Sequence, residues 1–434
     1  MEGLASPFPS RATPSSGRGD DFLTFLINFF TSLRLTVVCL VLGIILVFLG
    51  TMAQDPIGLY LAQGEYFRSF FVGAAPMWAG IKKTLQMAHV YLPPSTAADV
   101  LHGSRFPVFP GGYLVGGLLL INLVASHYRR FKFTVDKAGI WMVHFGLILL
   151  LLGQLGTDLV SRETVLHLRE GEAKNYSESN RQVELAVVDA TDADSSQVVA
   201  MPQPLLTTEN VIRNSTLPFT VRIKSFFVNS AVESLPTNSV AQPAATQGVG
   251  ASTIVKEAPR VTDMDHRDVP SAVVELLTPQ GSLGTWLVSE YVNEFLKRPQ
   301  SVTWSNRTYE LSLRLRRYYK PFSLQLLQFK HDIYAGTDIP KNFSSRVLLQ
   351  RPDTGEKREV LVYMNSPLRY AGETYYQSSY DQDDRGTILQ VVHNPSWLTP
   401  YFSCVLVGIG LIVQFATHLF GFTFKRRTAS PKPA

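Results

Sequence analysis

The stretch Gly139–Thr157, which reads GIWMVHFGLILLLLGQLGT, decides the fold of this chain because its length and apolar character match a membrane-spanning helix. A single ionisable side chain, that of His144, lies inside it. Hydrocarbon penalises polar groups, so an ionisable residue in a spanning helix marks a proton path, a metal or haem ligand, or an interhelical hydrogen bond. His144 is therefore the first candidate functional residue.

Three further apolar stretches of the 434-residue chain approach the same length. A helix needs about 20 residues to cross about 30 Å of hydrocarbon. A cleaved signal peptide is the alternative for the first stretch, but the apolar core of a signal is shorter, about 7–15 residues. The predicted fold class is membrane α plus β, with a large exported antiparallel β domain between the third and fourth transmembrane helices. The predicted spans are residues 35–53, 108–126, 138–157 and 397–422.

Lysines and arginines predict the orientation of these spans, because short cytoplasmic loops carry the positive excess. Both termini are predicted to be cytoplasmic, and residues 159–396 are predicted to lie in a periplasm or lumen. The short N-terminus favours a bacterial inner membrane over a thylakoid, and the net charge of +5 reflects topology rather than nucleic-acid binding. The basic residues follow the second and fourth spans: Arg129, Arg130, Lys132, Lys137, Lys425, Arg426, Arg427 and Lys432.

The segments outside the spans differ in composition. Residues 1–21 are rich in Ser, Pro and Arg and are predicted to be a disordered cytoplasmic N-terminus. Residues 22–158 are predicted to hold an interfacial helix, at 22–30, and the first three spans. Residues 423–434 form the basic cytoplasmic tail.

Alternation of apolar and polar side chains predicts β-strands in the exported segment. It occurs at Tyr309–Arg316 and at Phe219–Lys224, and a period of two indicates half-buried strands. Turn sequences between such runs favour an antiparallel sheet or sandwich. Residues 229–263 show no apolar period and are predicted to be a low-complexity insertion, a loop or linker within the domain.

The cysteines and the missing motifs exclude several functions. Cys39 and Cys404 lie near opposite ends of their spans, too far apart in depth for a disulfide. The exported segment has no cysteine, so it carries no CxxC thiol exchanger and no CxxCH haem attachment site. Signatures of soluble hydrolases, nucleotide-binding proteins and zinc proteins are absent from the sequence. The exported domain is therefore predicted to be a binding surface, and the chain alone is not predicted to be an enzyme.

Three histidines lie at similar predicted depths near the cytoplasmic leaflet. His144 lies in the third span, His418 near the inner end of the fourth, and His127 at the end of the second. Together they can line one ligand site, or His144 and His418 can hydrogen-bond between helices while His127 reaches the interface. On the outer side, His167 and His393 flank the mouths of the third and fourth spans, where a second site is possible.

Small residues predict where the spans pack. Gly139, Gly146 and Gly153 recur every seven residues in the third span and allow close approach of another helix. In the fourth span, Gly410 and Gln414 form with His418 a stripe that is predicted to face protein rather than lipid. Gly112 and Gly116 form a weak GxxxG pattern in the second span.

Several motifs resemble the ResB/CcsB family of system II cytochrome c maturation, and they follow the order found in that family. The HxGL sequence that begins at His144 is one of these motifs. The predicted order of three spans, a large β domain and one final span also agrees with the architecture of the family. The others are Ser32–Val38, Gly50–Gln54, Tyr334–Thr337, Pro340–Ser345, Asn365–Tyr370, Tyr375–Tyr380 and Val391–Pro395. Asn394, where the family usually has an acid, and the insertion at 229–263 depart from the family pattern.

The resemblance implies a subunit of a haem delivery and attachment complex. Such proteins act with a CcsA/ResC-type membrane partner that carries a tryptophan-rich haem-binding segment. The complex exports haem b, keeps it reduced and presents it to the CxxCH thiols of apocytochrome c, with a thiol-reducing thioredoxin-like protein as a further possible partner. The five tryptophans here are scattered, in agreement with that division.

The resemblance also implies roles for individual residues. His144 is the expected axial haem ligand, with His418 and His127 as weaker candidates. Tyr375, Tyr376, Gln377 and Tyr380 are candidates for docking apocytochrome or the partner, and the alternative makes these tyrosines core strand residues. A second hypothesis is a membrane scaffold that holds an exported β domain beside a respiratory complex and binds no haem.

Overall fold

In the described part of the chain, all helices except the short α8 fall before or after one large β domain. In the computed structural model the helices are α1 Arg18–Phe30, α2 Leu33–Ile57, α3 Leu59–Ala62, α4 Ala74–Met87, α5 Ala97–Leu101, α6 Gly112–Arg130, α7 Ala138–Val160, α8 Glu290–Glu294 and α9 Thr399–Thr428. A π-turn, Gln63–Phe67, follows α3. The structure describes residues 18–130, 134, 137–192, 197–236, 242–262, 266–294, 296, 300–336 and 340–428.

Three helices in the described part of the chain are long and apolar enough to cross a membrane: Leu33–Ile57, Ala138–Val160 and Thr399–Thr423. They coincide with the first, third and fourth predicted spans. The second predicted span corresponds to α6, whose C-terminal half carries Asn122, His127 and Arg129 and is less apolar. Its start is also corrected from residue 108 to Gly112, because Pro107–Pro110 pairs as a short strand with Phe71–Gly73. The predictions for residues 1–17, 131–133, 135–136 and 429–434 lie outside the described residues.

One buried amide ties α6 to the start of α2. The side chain of Asn122 is 1% exposed. Its Nδ2 donates to the carbonyls of Phe30 at 2.7 Å and Ser32 at 3.0 Å, and its Oδ1 accepts from the hydroxyl of Thr36 at 2.5 Å. The Asn122 amide therefore bonds to the end of α1 and to the start of α2, and it holds α6 against both helices.

Replacing Asn122 with Leu is expected to destabilise the helical part by about 1–3 kcal/mol, since two carbonyls and one hydroxyl lose their partner in a water-poor site. Thermal unfolding of the detergent-purified protein checks this. Val124→Leu, on the exposed side of the same helix, is the matched control and should leave the midpoint unchanged. Equal midpoints for the two variants would contradict the assignment.

Helices α7 and α9 pack closely in antiparallel orientation along the predicted glycine stripe. Gly139, Gly146 and Gly153 are buried. A Cβ added at Gly139 would lie 2.6 Å from the Gln414 backbone nitrogen, and one added at Gly146 would lie 2.6 Å from Val407 Cγ2. The prediction that the seven-residue glycine repeat permits close helix contact is therefore confirmed. Both cysteines are free, also as predicted.

All strand-to-strand ladders of the β domain in the described residues are antiparallel, as predicted. After β1 Phe71–Gly73 and β2 Pro107–Pro110, the strands are β3 Arg162–Arg169, β4 Ala173–Asp189, β5 Gln197–Pro202, β6 Val211–Ile212, β7 Thr220–Phe227, β8 Ser230–Ser234, β9 Thr253–Glu257, β10 Ser271–Thr278, β11 Gly281–Ser289, β12 Gln300–Trp304, β13 Arg307–Ile333, β14 Pro340–Arg351, β15 Glu356–Tyr363, β16 Leu368–Tyr370, β17 Glu373–Tyr380 and β18 Gly386–His393.

Two lobes share the long strands β4 and β13. In the first lobe, strands β3 and β14 to β18 curl around a core that includes Leu168, Leu324 and Tyr375. The two edge strands meet where the Tyr370 hydroxyl of β16 donates to Glu356 of β15. In the second lobe, the sheet β11-β10-β7-β6 packs face to face on β4, β5, β12 and β13. The sequence-predicted sandwich is this second lobe.

The predicted insertion at 229–263 is folded where it is described. Strands β8 and β9 pair as a ribbon, and a 3₁₀ turn, Gly248–Ser252, directly precedes β9. Ala245 packs with Val273 and Leu287 of the second lobe. The expectation of a linker without a core is thus corrected, because Ala245, Val232 and Val255 of the insertion pack in one cluster with Val273 and Leu287 of β10 and β11. Residues 237–241 and 263 lie outside the described residues.

The end of this insertion contacts the membrane helices. Gly58, between α2 and α3, has φ of +82°, and a Cβ there would lie 2.2 Å from the carbonyl oxygen of Thr262. The Arg181 guanidinium lies 4.2 Å from the ring centroid of Tyr60 and donates to the carbonyl of Val261. These contacts fix the β domain on the end of α2.

Candidate functional site

Two of the three predicted histidines meet at the interface between α6 and α7. The ring centroids of His127 and His144 are 5.6 Å apart. Trp141, one turn before His144 on α7, meets the His127 ring edge-on at 3.7 Å between centroids. Residues three and four apart share a helix face, so α7 presents Trp141 and His144 to α6 while its glycines face α9. The histidine pair is therefore built by one face of each helix.

A backbone hydrogen bond fixes the ring of His144. Its Nδ1 lies 2.8 Å from the carbonyl oxygen of Ile140, one turn earlier on α7. A carbonyl only accepts, so Nδ1 carries the proton and Nε2 carries the lone pair in the neutral ring. Metal-binding histidines commonly donate their other ring nitrogen to a backbone carbonyl or a carboxylate in this way. The imidazole is thus held in the tautomer that ligates metal through Nε2.

His127 is more enclosed than His144. Its side chain is 6% exposed, and the Trp141 ring covers one edge. In the described residues, no group of three or more His, Cys, Asp or Glu side chains can hold a bare metal ion. Haem needs only axial ligands from the protein, because the porphyrin supplies the other four nitrogens. One or two imidazoles at this interface are therefore sufficient for haem and not for zinc.

His418 lies elsewhere on α9. It is exposed, and its Nε2 lies 2.7 Å from the amide nitrogen of Gln414, which donates to it along the same helix. Gly410 and Gln414 do face α7, at Gly139, so the predicted stripe faces protein for two of its three members. The structure brings His127 and His144 together and leaves His418 bonded within its own helix.

The predicted outer histidines do not form one site. His167 Nε2 lies 2.9 Å from Asp381 Oδ1. His393 pairs in register with Arg162 at the start of β3, whereas His167 lies five residues further along that strand. At about 3.3 Å per residue this separates them by about 16 Å. His167 and His393 are therefore too far apart to form the predicted second site together.

The four predicted docking residues are mostly internal. Tyr375 is 0% exposed and its hydroxyl donates to Glu373 at 2.7 Å, so its assignment to a docking surface is corrected to a core position. Gln377 bonds to Thr387 and Ser345, and Tyr380 stacks in an aromatic cluster with Phe329 and Phe343. Tyr376, at 37% exposed, stays a candidate for docking. Strand alternation places Tyr375 and Tyr376 on opposite faces of β17.

Sequence reasoning missed a buried ionic cluster at the start of the β domain. Glu373 accepts from Lys320 Nζ at 2.5 Å and from the Tyr375 hydroxyl, and Arg162 lies 3.8 Å away. The Lys320 and Glu373 side chains are 7% and 10% exposed. Burial lowers the pKa of Lys320, although Glu373 opposes the shift, and burial raises the pKa of Tyr375 far above its usual range, reinforced by the Glu373 charge. The sequence signal for this cluster was a lysine, Lys320, next to a proline within a predicted strand region. Its partner Glu373 lies 53 residues further along the chain, so the pair could not be recognised from the sequence.

A second missed cluster closes the end of the α6–α7 interface at which α7 leads into the β domain. Asp158 accepts from Arg68 Nε at 2.7 Å and from the hydroxyl of Tyr113. Below it lies a cleft of about 720 Å³, lined mainly by apolar side chains and by Gly112, Gly116 and Gly117. The same two helices therefore carry the histidine pair at one end and this cleft at the other.

Comparison with known proteins finds a matching family model and one similar protein. Residues 300–388 match the model of the ResB-like family, a segment that runs from β12 into β18 and includes Lys320, Glu373 and Tyr375. The chain is also similar to Protein NrfI of Wolinella succinogenes, with 24% identity over 297 residues. The alignment covers 68% of this chain and 29% of that relative. The chain thus spans less than a third of the relative's length.

Proposed function

The chain is ResB-like over residues 300–388, and from that premise we propose that it is a subunit of the system II cytochrome c maturation complex, which delivers haem and attaches it to apocytochrome c. The ResB-like match supports a role related to cytochrome c biogenesis. The observation that supports haem itself is the His144 ring, held by its Nδ1 bond to Ile140 beside His127.

In this proposal His144 is an axial ligand of haem b in the membrane. Iron binds the neutral form of imidazole, and the Nδ1 bond to Ile140 leaves Nε2 as the ligating atom. His127, whose ring lies 5.6 Å from that of His144, is a second, weaker candidate ligand, and Trp141 packs against the His127 ring. Haem supplies the redox-active iron, while the chain's own residues hold and orient it between α6 and α7. His418 is left as the weakest of the three candidates.

The topology of the proposal follows from the helices. Helix α6 crosses the membrane as the second of four spans, together with the three more apolar helices. Both termini are cytoplasmic, and the β domain is periplasmic. In that orientation His127 and His144 lie toward the cytoplasmic leaflet, so haem enters from the side where it is made. Tyr376 is the remaining candidate for contact with apocytochrome or the partner.

A CcsA/ResC-type membrane protein is the proposed partner, and a thioredoxin-like protein supplies reduced apocytochrome thiols. The five tryptophans are scattered rather than clustered and the chain has no CxxCH, so the outer haem site and the attachment chemistry are left to the partner and the apocytochrome. The chain therefore delivers haem without forming the thioether bonds alone. A membrane scaffold without haem is the competing reading.

Haem content tests the proposal. The chain is co-expressed with a CcsA/ResC-type partner, purified in detergent and assayed as the pyridine haemochrome, with the partner purified alone as control. The proposal predicts more b-type haem in the complex than in the partner alone. Equal haem per partner would contradict haem binding by this chain and favour the scaffold.

A further inference from the structure

We propose that the cleft between α6 and α7 beside Asp158 binds the head group of a membrane quinone or quinol. Such a head group is a neutral, flat ring that carries two oxygens and an isoprenoid tail. The cleft lies on the same two helices as the histidine pair, but the ligand is neither haem nor protein, so this inference goes beyond the proposed function.

The cleft is separated from the histidine pair along both helices. Tyr113 of α6 donates to Asp158 of α7 at the end where α7 leads into the β domain. His127 of α6 meets His144 of α7 at the other end. Fourteen positions separate the two contacts on each helix, which corresponds to about 21 Å of rise. A head group beside Asp158 therefore does not reach the histidine pair.

Glycines of α6 leave room for a flat ring. A Cβ added at Gly116 or Gly117 would meet no atom within 4 Å, so the space beside them is open. Leu151 and Leu155 of α7 form the opposite wall. The cleft volume of about 720 Å³ falls in the usual range for small-molecule sites, about 300–1,000 Å³. A planar ring with the first part of its tail fits between the two walls.

Aromatic and aliphatic side chains border the cleft. Phe67 and Phe70 line it together with Tyr113, and the ring centroids of Phe70 and Tyr113 lie 5.8 Å apart. Aromatic side chains attract another flat ring in offset-stacked or edge-on geometry. Leu155 and Leu159 also line the cleft and are 40% and 69% exposed. An isoprenoid tail can therefore leave the cleft along an apolar surface.

The charged groups at the cleft balance one another. Arg68 Nε lies 2.7 Å from Asp158 Oδ1, and the Tyr113 hydroxyl donates to the other carboxylate oxygen. The side chain of Asp158 is only 11% exposed. A phosphate would bring a second negative charge next to this carboxylate in a water-poor site, and an ammonium would meet the charge of Arg68. A neutral head group is therefore favoured over an ionic one.

Two amides offer the hydrogen bonds that a quinone uses. Gln63 and Gln154 line the cleft, and within the described residues neither side-chain amide makes a hydrogen bond. An amide without a partner in apolar surroundings is costly. Its NH₂ group can donate to a quinone carbonyl, and its oxygen can accept from a quinol hydroxyl. The two amides therefore match both redox forms of the ring.

The backbone around Gln63 agrees with a binding role. Gln63 begins the π-turn Gln63–Phe67, and the Arg68 N–H donates to the Gln63 carbonyl at 2.9 Å. This bond places Gln63 and Arg68 one turn apart, and both line the cleft. Single π-turns are rare and frequently occur at functional sites.

Filling the cleft tests the quinone site. The full chain is purified in detergent, and its binding of ubiquinone-1 is measured by isothermal titration calorimetry. Gly116→Leu puts a side chain into the open space, so we expect its Kd for ubiquinone-1 to rise about tenfold or more. Gly408→Leu on α9, where an added Cβ also meets no atom within 4 Å, is the matched control and should keep the wild-type Kd.

A polar variant tests the hydrogen bonds without filling the cleft. Gln154→Leu keeps a side chain of similar size and removes one amide, so the Kd for ubiquinone-1 should rise about fivefold, as for the loss of one hydrogen bond. Thr417→Val, which removes a hydroxyl at an exposed position of α9, is its control and should leave the Kd unchanged.

Absence of ubiquinone-1 binding by the wild-type chain overturns the quinone site, and so does an unchanged Kd in both Gly116→Leu and Gln154→Leu. Displacement of ubiquinone-1 by an equal concentration of phosphatidylglycerol would also overturn it, in favour of a phospholipid site. The haem content of the complex is measured separately, so these results leave the proposed haem function to its own test.

Discussion

Haem bound to the purified complex is expected to fall at least tenfold when His144 is replaced by Ala. The substitution removes the imidazole whose Nε2 lone pair is set by the Nδ1 bond to Ile140, and in the proposed function that imidazole is the axial ligand of the haem iron. The haem content of detergent-purified complexes, assayed as the pyridine haemochrome, measures the change.

His418→Ala is the matched control, since it removes the same side chain at an exposed position of α9. Its haem content should stay near that of the wild type. His127→Ala should lie between the two, because His127 is the weaker candidate ligand beside His144 and its ring contacts Trp141. A larger loss of haem in His418→Ala than in His144→Ala would indicate that the haem ligand lies on α9.

The second large effect is expected in the β domain. Glu373→Gln should lower the free energy of unfolding by about 3–5 kcal/mol, because it leaves the ammonium of Lys320 buried without its carboxylate. Urea unfolding of the purified protein, followed by tryptophan fluorescence, measures the change.

Glu359→Gln is the matched control. It breaks an ion pair to Arg346 in which both side chains are about half exposed, and it should change stability by at most about 0.5 kcal/mol. Similar losses in the two variants would show that the Lys320–Glu373 pair is no more important than a surface pair.

The pH dependence of Glu373→Gln follows from Lys320. Burial already lowers the pKa of Lys320 below its ordinary 10.5, with Glu373 opposing the shift, so removal of the carboxylate should lower the folded-state pKa further. Between that folded pKa and the unfolded value, the unfolded chain binds more protons, and stability therefore rises with pH. Unfolding of the variant at a series of alkaline pH values should show this recovery, with a smaller slope in the wild type.

Short-range patterns predicted part of this structure. The seven-residue glycine repeat predicted the close contact of α7 with another helix, and alternation at 309–316 predicted a strand of the second lobe. The depth of His127 and His144 in their spans predicted that they can share a site, since equal depth is a property of the sequence alone. The sequence alone does not determine which helix faces meet. His418 lies at a similar depth to His127 and His144 but does not join their pair.

Long-range pairings could not be predicted. Asp158 reads as the end of a span, and only the fold brings Arg68 and Tyr113 to it. Tyr375 and Tyr376 are adjacent and chemically alike, and the curl of the first lobe decides which one is buried. The insertion at 229–263 lacks an apolar period because its ribbon is stabilised by the neighbouring sheet, at Ala245 and Leu287, rather than by a core of its own.

The most direct test of haem ligation at the α6–α7 interface is chemical rescue of His144→Gly. The variant complex is purified with and without added imidazole, and the Soret and reduced α bands are compared with those of the wild type. The account predicts that haem is lost without imidazole and that a wild-type spectrum returns with it, because free imidazole occupies the vacated ligand position. A variant that keeps the wild-type spectrum without imidazole would show that His144 does not bind the iron.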